Sequence, residues 1–221
     1  MIFRNWPEQI PRSVAVCPVQ LPGRVGRLRE APFTRLLPLI EAVSSAILPD
    51  LDRPFALFGH SMGALICFEL ARHLRREHGL EPAQIFVSAH RAPHLEELGQ
   101  RVYDLPEPEL IAFLRHISGT PKEVLEHPEL MQLVIPIIRA DFELIQTYEY
   151  RDEPPLDCPI SALTGIEDPD VTVEQMTAWC HHTTGAFTVR TFPGDHFYLN
   201  SAQPLLLGAL SQDLQRRLNE L

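Results

Sequence analysis

Ser61, Asp168 and His196 occur in an order, and in local settings, that suit nucleophilic acyl transfer. Ser61 sits in Gly59-His60-Ser61-Met62-Gly63, a G-x-S-x-G pentapeptide between an apolar run, Pro54 to Phe58, and the helix-compatible stretch Ala64 to Glu77. A serine on a sharp strand-to-helix turn needs small residues two positions to either side. A Cβ there would strike the neighbouring strand or helix, and Gly59 and Gly63 meet that need. The turn leaves the Ser61 hydroxyl at a helix N-terminus, where the backbone N–H of Met62 and the helix dipole can stabilise a developing oxyanion.

A serine hydroxyl is too weak an acid to attack unaided at neutral pH, so it requires a histidine base and an acid to orient that base. After a strand–nucleophile–helix turn, the expected chain order is Ser, an acid beyond a later strand, and His beyond the next. Asp168 lies in Gly165-Ile166-Glu167-Asp168-Pro169-Asp170, just past an apolar run ending at Leu163. His196 lies in Pro193-Gly194-Asp195-His196-Phe197, just past a strand expected to end at Phe192. Glu167, Asp170 and Asp157 are rival acids. Asp195, adjacent to His196 in the chain, is expected to fix the loop. Of the other histidines, His181 and His182 fall in a helical stretch, while His60 and His90 sit beside strand ends and could line the site without acting as base.

These residues need a scaffold that delivers strand ends to one edge. Segments at 13–19, 54–58, 84–89, 159–163 and 187–192 read as strands, those at 13–19 and 84–89 as buried ones. Helical stretches alternate with them. One runs from about Thr34, as N-cap, to Leu48, one from Ser61 to about His78 with Gly79 as its stop, one over 172–182 and one over 203–219. The alternation implies an α/β fold with a parallel sheet covered on both faces. It breaks at 105–150, where helices near 108–118, 121–126 and 128–150 are punctuated by prolines and Pro136 is expected to kink the longest. This is expected to be a lid insertion in a single domain spanning 1–221, with apolar residues such as Leu110, Phe113, Leu133 and Ile137 suited to an acyl chain.

With 19 basic against 29 acidic residues the net charge is −10, which argues against nucleic-acid binding through a whole-molecule field. Two local basic groups stand out, Arg24, Arg27 and Arg29, and Arg72, Arg75 and Arg76. Cys17, Cys67, Cys158 and Cys180 form no C-x-x-C pair and imply neither a disulfide framework nor a metal site. The N-terminus shows no signal sequence and no apolar stretch reaches membrane-spanning length, so the expected setting is the cytoplasm, with a monomer as the default.

Several segments together resemble the type II thioesterases that accompany nonribosomal peptide and polyketide synthases. They are Phe3-Arg4-Asn5-Trp6, Gln20-Leu21-Pro22-Gly23-Arg24, Phe58 to Ala64, Arg91-Ala92-Pro93, Asp168-Pro169 and Gly194-Asp195-His196-Phe197. The resemblance implies an α/β-hydrolase fold with a helical lid, a triad of Ser61, Asp168 and His196, no cofactor, and a carrier protein with a phosphopantetheine arm as partner. The implied activity is hydrolysis of unwanted acyl or aminoacyl thioesters, clearing stalled assembly lines. The basic group at Arg24, Arg27 and Arg29 would be a possible carrier contact. Members of this family look as though a strand and glycine-rich turn precede Phe3-Arg4-Asn5-Trp6. The expectation is therefore that this chain lacks that strand and the second oxyanion N–H its turn would donate. The alternatives are a small-ester carboxylesterase and a non-catalytic carrier-binding module.

Overall fold

A computed structural model describes residues 2–96, 99–117 and 127–220, so the helix expected at 121–126 lies outside the described residues. The sheet is built from β1 (Ala56–His60), β2 (Gln84–Ser88), β3 (Ile160–Gly165) and β4 (Phe187–Phe192). All neighbours are parallel and their spatial order is the chain order, β1-β2-β3-β4. The carboxyl ends of all four strands therefore lie along one edge. β2 and β3 are buried throughout, which is why apolar residues occur on both faces of each strand rather than on one.

The helices are α1 (Leu36–Ile47), α2 (Met62–His78), α3 (Glu107–His116), α4 (Pro128–Gln146), α5 (Val173–Thr177), α6 (Tyr198–Ser201) and α7 (Gln203–Glu220). α2 stops where the sequence says it must. Gly79 takes φ +65°, and the N–H groups of Gly79 and Leu80 close back on Arg75 and Leu74. α5 opens with a reciprocal cap between Thr172 and Gln175. The stretch expected to continue that helix tightens into a 3-10 segment, Ala178–His182.

Residues 2–18, 40–95 and 150–220 form one compact unit carrying the sheet. Alternate strand residues face two clusters. Ile85, Val87, Ile160 and Ala162 pack with Ala64, Phe68 and Trp179 on one side, whereas Phe86, Leu163 and Phe192 pack with Tyr198, Leu206 and Trp6 on the other. Residues 19–39 and 96–149 form a second compact unit with its own core of Val102, Leu105, Leu110, Leu114, Met131 and Ile135. Within it Arg139 donates to the carbonyls of Tyr103 and Leu105, at 2.5 and 2.7 Å. Pro136 lies inside α4. Among the described residues no helix is long and apolar enough to cross a membrane.

Two expectations need correction. Residues 13–19 are not a strand: the segment is irregular and unpaired in the sheet, although Val14 and Val16 still pack against the Tyr198 cluster. Pro18 removes a ladder donor there, and the apolar alternation is served by side-chain packing alone. The first helix begins at Leu36, so Arg35, not Thr34, immediately precedes it.

Candidate active site

The elbow is built by a conflict between backbone and side chain. Ser61 adopts φ 53°, ψ −124°, a region costly for a residue with a Cβ, on the order of 1–3 kcal/mol. Its N–H donates to the Ser88 carbonyl at the end of β2 (2.7 Å), and its own carbonyl accepts from Ala64 N–H (2.8 Å), which pins the turn from both sides. The hydroxyl makes no capping bond to α2 and is not consumed by the helix. Met62 is the first residue of α2, so its N–H has no intrahelical acceptor and is available to an oxyanion.

Only one of the two elbow glycines is required by space. A Cβ on Gly59 would lie 1.9 Å from the Gly63 carbonyl oxygen, whereas a Cβ on Gly63 would meet nothing within 4 Å. The expectation that both positions exclude a side chain is therefore corrected: the crowding is Gly59 against the first turn of α2, and Gly63 is the residue it crowds.

The loops after β3 and β4 are stitched together. Ile166 N–H donates to Phe192 C=O (2.9 Å) and Glu167 N–H to Gly194 C=O (3.0 Å). A methyl on Gly165 would fall 2.3 Å from the carbonyl oxygens of both Gly194 and Asp195, so glycine alone permits this approach. Gly194 itself takes φ +116°. Asp195 fixes the turn, as expected, by accepting from Phe197 N–H at 2.8 Å.

This stitching brings Asp168 and His196 together, with His196 Nδ1 2.9 Å from Asp168 Oδ2. The Asp168 side chain is fully buried, and its other oxygen accepts from the backbone N–H groups of Asp170 (2.9 Å) and Val171 (3.1 Å). Burial pushes the carboxyl up, but the hydrogen bond from His196 and those backbone donors outweigh it and hold Asp168 below the usual carboxylate range. An ionised carboxylate only accepts, so Nδ1 of His196 carries the proton and Nε2 of the neutral ring keeps a lone pair. Asp168, Asp170 and His196 offer ligand atoms within 4.8 Å of one another, but two of the three residues already bond to each other. Among the rival acids, Asp157 accepts from Thr184 Oγ1 at 2.7 Å.

Behind His196 lies a group that sequence reasoning did not assemble. The ring of His60 stands 5.2 Å from that of His196. Its Nδ1 is 2.8 Å from Ser88 Oγ, which is 2.6 Å from the Tyr198 hydroxyl. His90 donates from Nδ1 to the Arg91 carbonyl (2.8 Å). Burial lowers His60 to about 3 and His90 to about 4, with the neighbouring His196 adding to both. The sequence marked His60 and His90 as lining candidates. Ser88 and Tyr198 carried no signal beyond their place at strand and loop ends.

The basic groups are largely spent on structure. Arg24 pairs with both carboxylate oxygens of Asp141, and Arg27 with Glu30. Arg72 is 2 % exposed and pairs with Glu69 and Glu153, while Arg75 donates to the Pro154 and Pro155 carbonyls.

A parallel sheet whose strand ends carry a strained serine elbow, then an acid and then a histidine paired to it defines the α/β-hydrolase class. Within it, the model of the thioesterase domain matches residues 1–214, and the chain belongs to that family. It is 45% identical over 217 residues to the linear gramicidin dehydrogenase LgrE of Brevibacillus parabrevis, covering 97% of this chain and 82% of that one. It is 39% identical over 213 residues to the gramicidin S biosynthesis protein GrsT of Aneurinibacillus migulanus, covering 96% and 83%. Among solved structures it is similar to RedJ, a thioesterase from the prodiginine biosynthetic pathway in Streptomyces coelicolor. The TM-score is 0.89 at 40% identity, covering 96% of this chain and 84% of that one. The word dehydrogenase in the first name is said of that relative, whereas the family model matched here is that of thioesterases.

Proposed function

We propose that this enzyme hydrolyses acyl or aminoacyl thioesters held on the phosphopantetheine arm of carrier proteins, and so clears stalled peptide or polyketide assembly lines. The observation that carries the reading is the Asp168–His196 pair at 2.9 Å, on the same sheet edge as the Ser61 elbow. Ser61 Oγ attacks the thioester carbonyl carbon while His196 Nε2 takes its proton, and Met62 N–H faces the oxyanion. The C–S bond then breaks, and the arm leaves as a thiol after taking the proton from His196. Its pKa, about 8.5, makes departure easier than that of an alkoxide. Water, deprotonated by His196, releases the free acid and restores Ser61. Asp168 holds the His196 tautomer throughout. Residues 1–221 are read as one thioesterase domain, with an insertion at about 105–150 between β2 and β3. The chain works as a monomer in the cytoplasm.

The test is release of acetate from an acetyl-phosphopantetheinyl carrier protein by this chain and by Ser61→Ala. Ser61-dependent release supports the reading. Turnover of small esters without turnover of the carrier thioester would replace it with a carboxylesterase. Carrier binding with no turnover of either would make the chain a binding module.

A further inference from the structure

The Tyr198–Ser88–His60 chain fixes where its protons sit. Tyr198 is 0 % exposed, stacked on Phe192 at 5.2 Å, and among the described residues Ser88 Oγ is the hydrogen-bond partner of its hydroxyl. If Tyr198 donates to Ser88, the Ser88 hydroxyl is free to donate to His60 Nδ1, and only Nε2 of His60 is left without a partner among the described residues. The reverse direction would leave both the phenol proton and an unprotonated His60 Nε2 buried with no partner among the described residues, two unsatisfied groups against one. The first arrangement makes Nδ1 of His60 an acceptor and places the ring proton on Nε2, a buried atom with no protein partner among the described residues.

From this geometry we infer that the Tyr198–Ser88 relay holds His60 as a neutral, Nε2-protonated imidazole beside the His196 ring, making His60 a positioning residue for the catalytic base. His196 must become a cation twice per turnover. The groups facing His60 are His196, Asp168, Ser88, Phe197 and Tyr198. Asp168 alone is anionic, and it serves His196. A second cation at His60 would oppose the charge that His196 has to carry. Burial agrees with the relay, since it keeps His60 neutral through the working pH range.

This inference rests on the triad reading for its purpose but not for its test. Nitrogen-15 NMR of the histidine side chains in the intact chain reads the His60 tautomer directly, whether or not the protein turns over a thioester. The expected result is an Nε2–H ring with no titration from pH 8 to pH 5. An Nδ1–H ring, or a His60 that titrates within that range, overturns the inference. Tyr198→Phe releases the Ser88 hydroxyl and should yield mixed tautomers at His60. In the active enzyme it should lower kcat about fivefold at unchanged KM, the scale of one neutral hydrogen bond. A Tyr198→Phe protein with an unaltered His60 tautomer also overturns it.

Discussion

The carboxylate of Asp168 and the imidazole of His196, 28 residues apart in sequence, meet at 2.9 Å because Gly165 lets the loop after β3 lie directly on the backbone of the loop after β4. The acid is buried, ionised and satisfied on both oxygens, and in the proposed mechanism it holds a tautomer and balances a transient charge. Asp168→Asn keeps the size and most of the hydrogen bonds but presents an amide to His196. It should lower kcat about 10⁴-fold with little change in KM, the scale of a wrong-tautomer defect. Steady-state kinetics on a carrier-bound thioester check this, and a loss confined to KM would assign Asp168 to substrate binding instead.

The same junction predicts a defect in a residue that touches no substrate. Gly165→Ala places a methyl about 2.3 Å from two backbone carbonyl oxygens, and neither loop can yield without separating Asp168 from His196. Overpacking of this kind costs about 1–3 kcal/mol, and kcat should fall with it. Thermal melting and kcat measured together decide the point. A variant that loses stability but keeps kcat would show that the loops move as a body.

The elbow gives a paired prediction. Gly59→Ala drives a methyl into the Gly63 carbonyl at 1.9 Å, which should cost about 3 kcal/mol or more and disable the site. Gly63→Ala meets open space on the first turn of α2 and should leave stability unchanged or raise it by up to about 1 kcal/mol, since alanine favours helix over glycine. Chemical denaturation of both variants measures the contrast. Equal damage at the two positions would contradict this asymmetry of the elbow.

Much of this was legible in the chain because the chemistry and the fold use the same local signals. The G-x-S-x-G turn marks the junction of β1 and α2, and Gly79 ends α2 by left-handed geometry that only a few residues adopt without cost. The apolar run at 84–89 is a strand buried by its neighbours, and the mixed segment at 187–192 is a strand through its parallel pairing with β3. Residues 13–19 have the same composition without a partner strand, and pairing is not a property of one segment. The Asp168–His196 encounter was inferable from order alone, whereas the relay through Ser88 and Tyr198 was not. It depends on β1–β2 register, which sets His60 opposite Ser88, and on a four-residue helix too short to leave a periodic pattern.

Buried neutral histidines make the fold acid-labile well above the carboxylate range. Burial is the leading cause in each case, lowering His60 to about 3 and His90 and His182 to about 4, against 6.5 in the unfolded chain. Below pH 6.5 the unfolded chain binds protons that the native state excludes, so stability falls as pH drops until those native values are reached. Each group contributes about 1.4 kcal/mol per pH unit across that window. Asp168 acts lower down. Its depressed carboxyl stabilises the fold above 3.8, and that contribution is lost only as pH falls further, so it is constant across the histidine window. A domain with a typical 5–15 kcal/mol of stability should then unfold within roughly two or three units below pH 6.5. His182 packs against Phe68 and Trp179 and sits 2.7 Å from His94 Nδ1, away from the catalytic pair. His182→Gln should therefore reduce the slope of unfolding free energy against pH by about one third between pH 6.5 and pH 5, measured by urea titration at each pH. An unchanged slope in that variant would place the acid lability elsewhere.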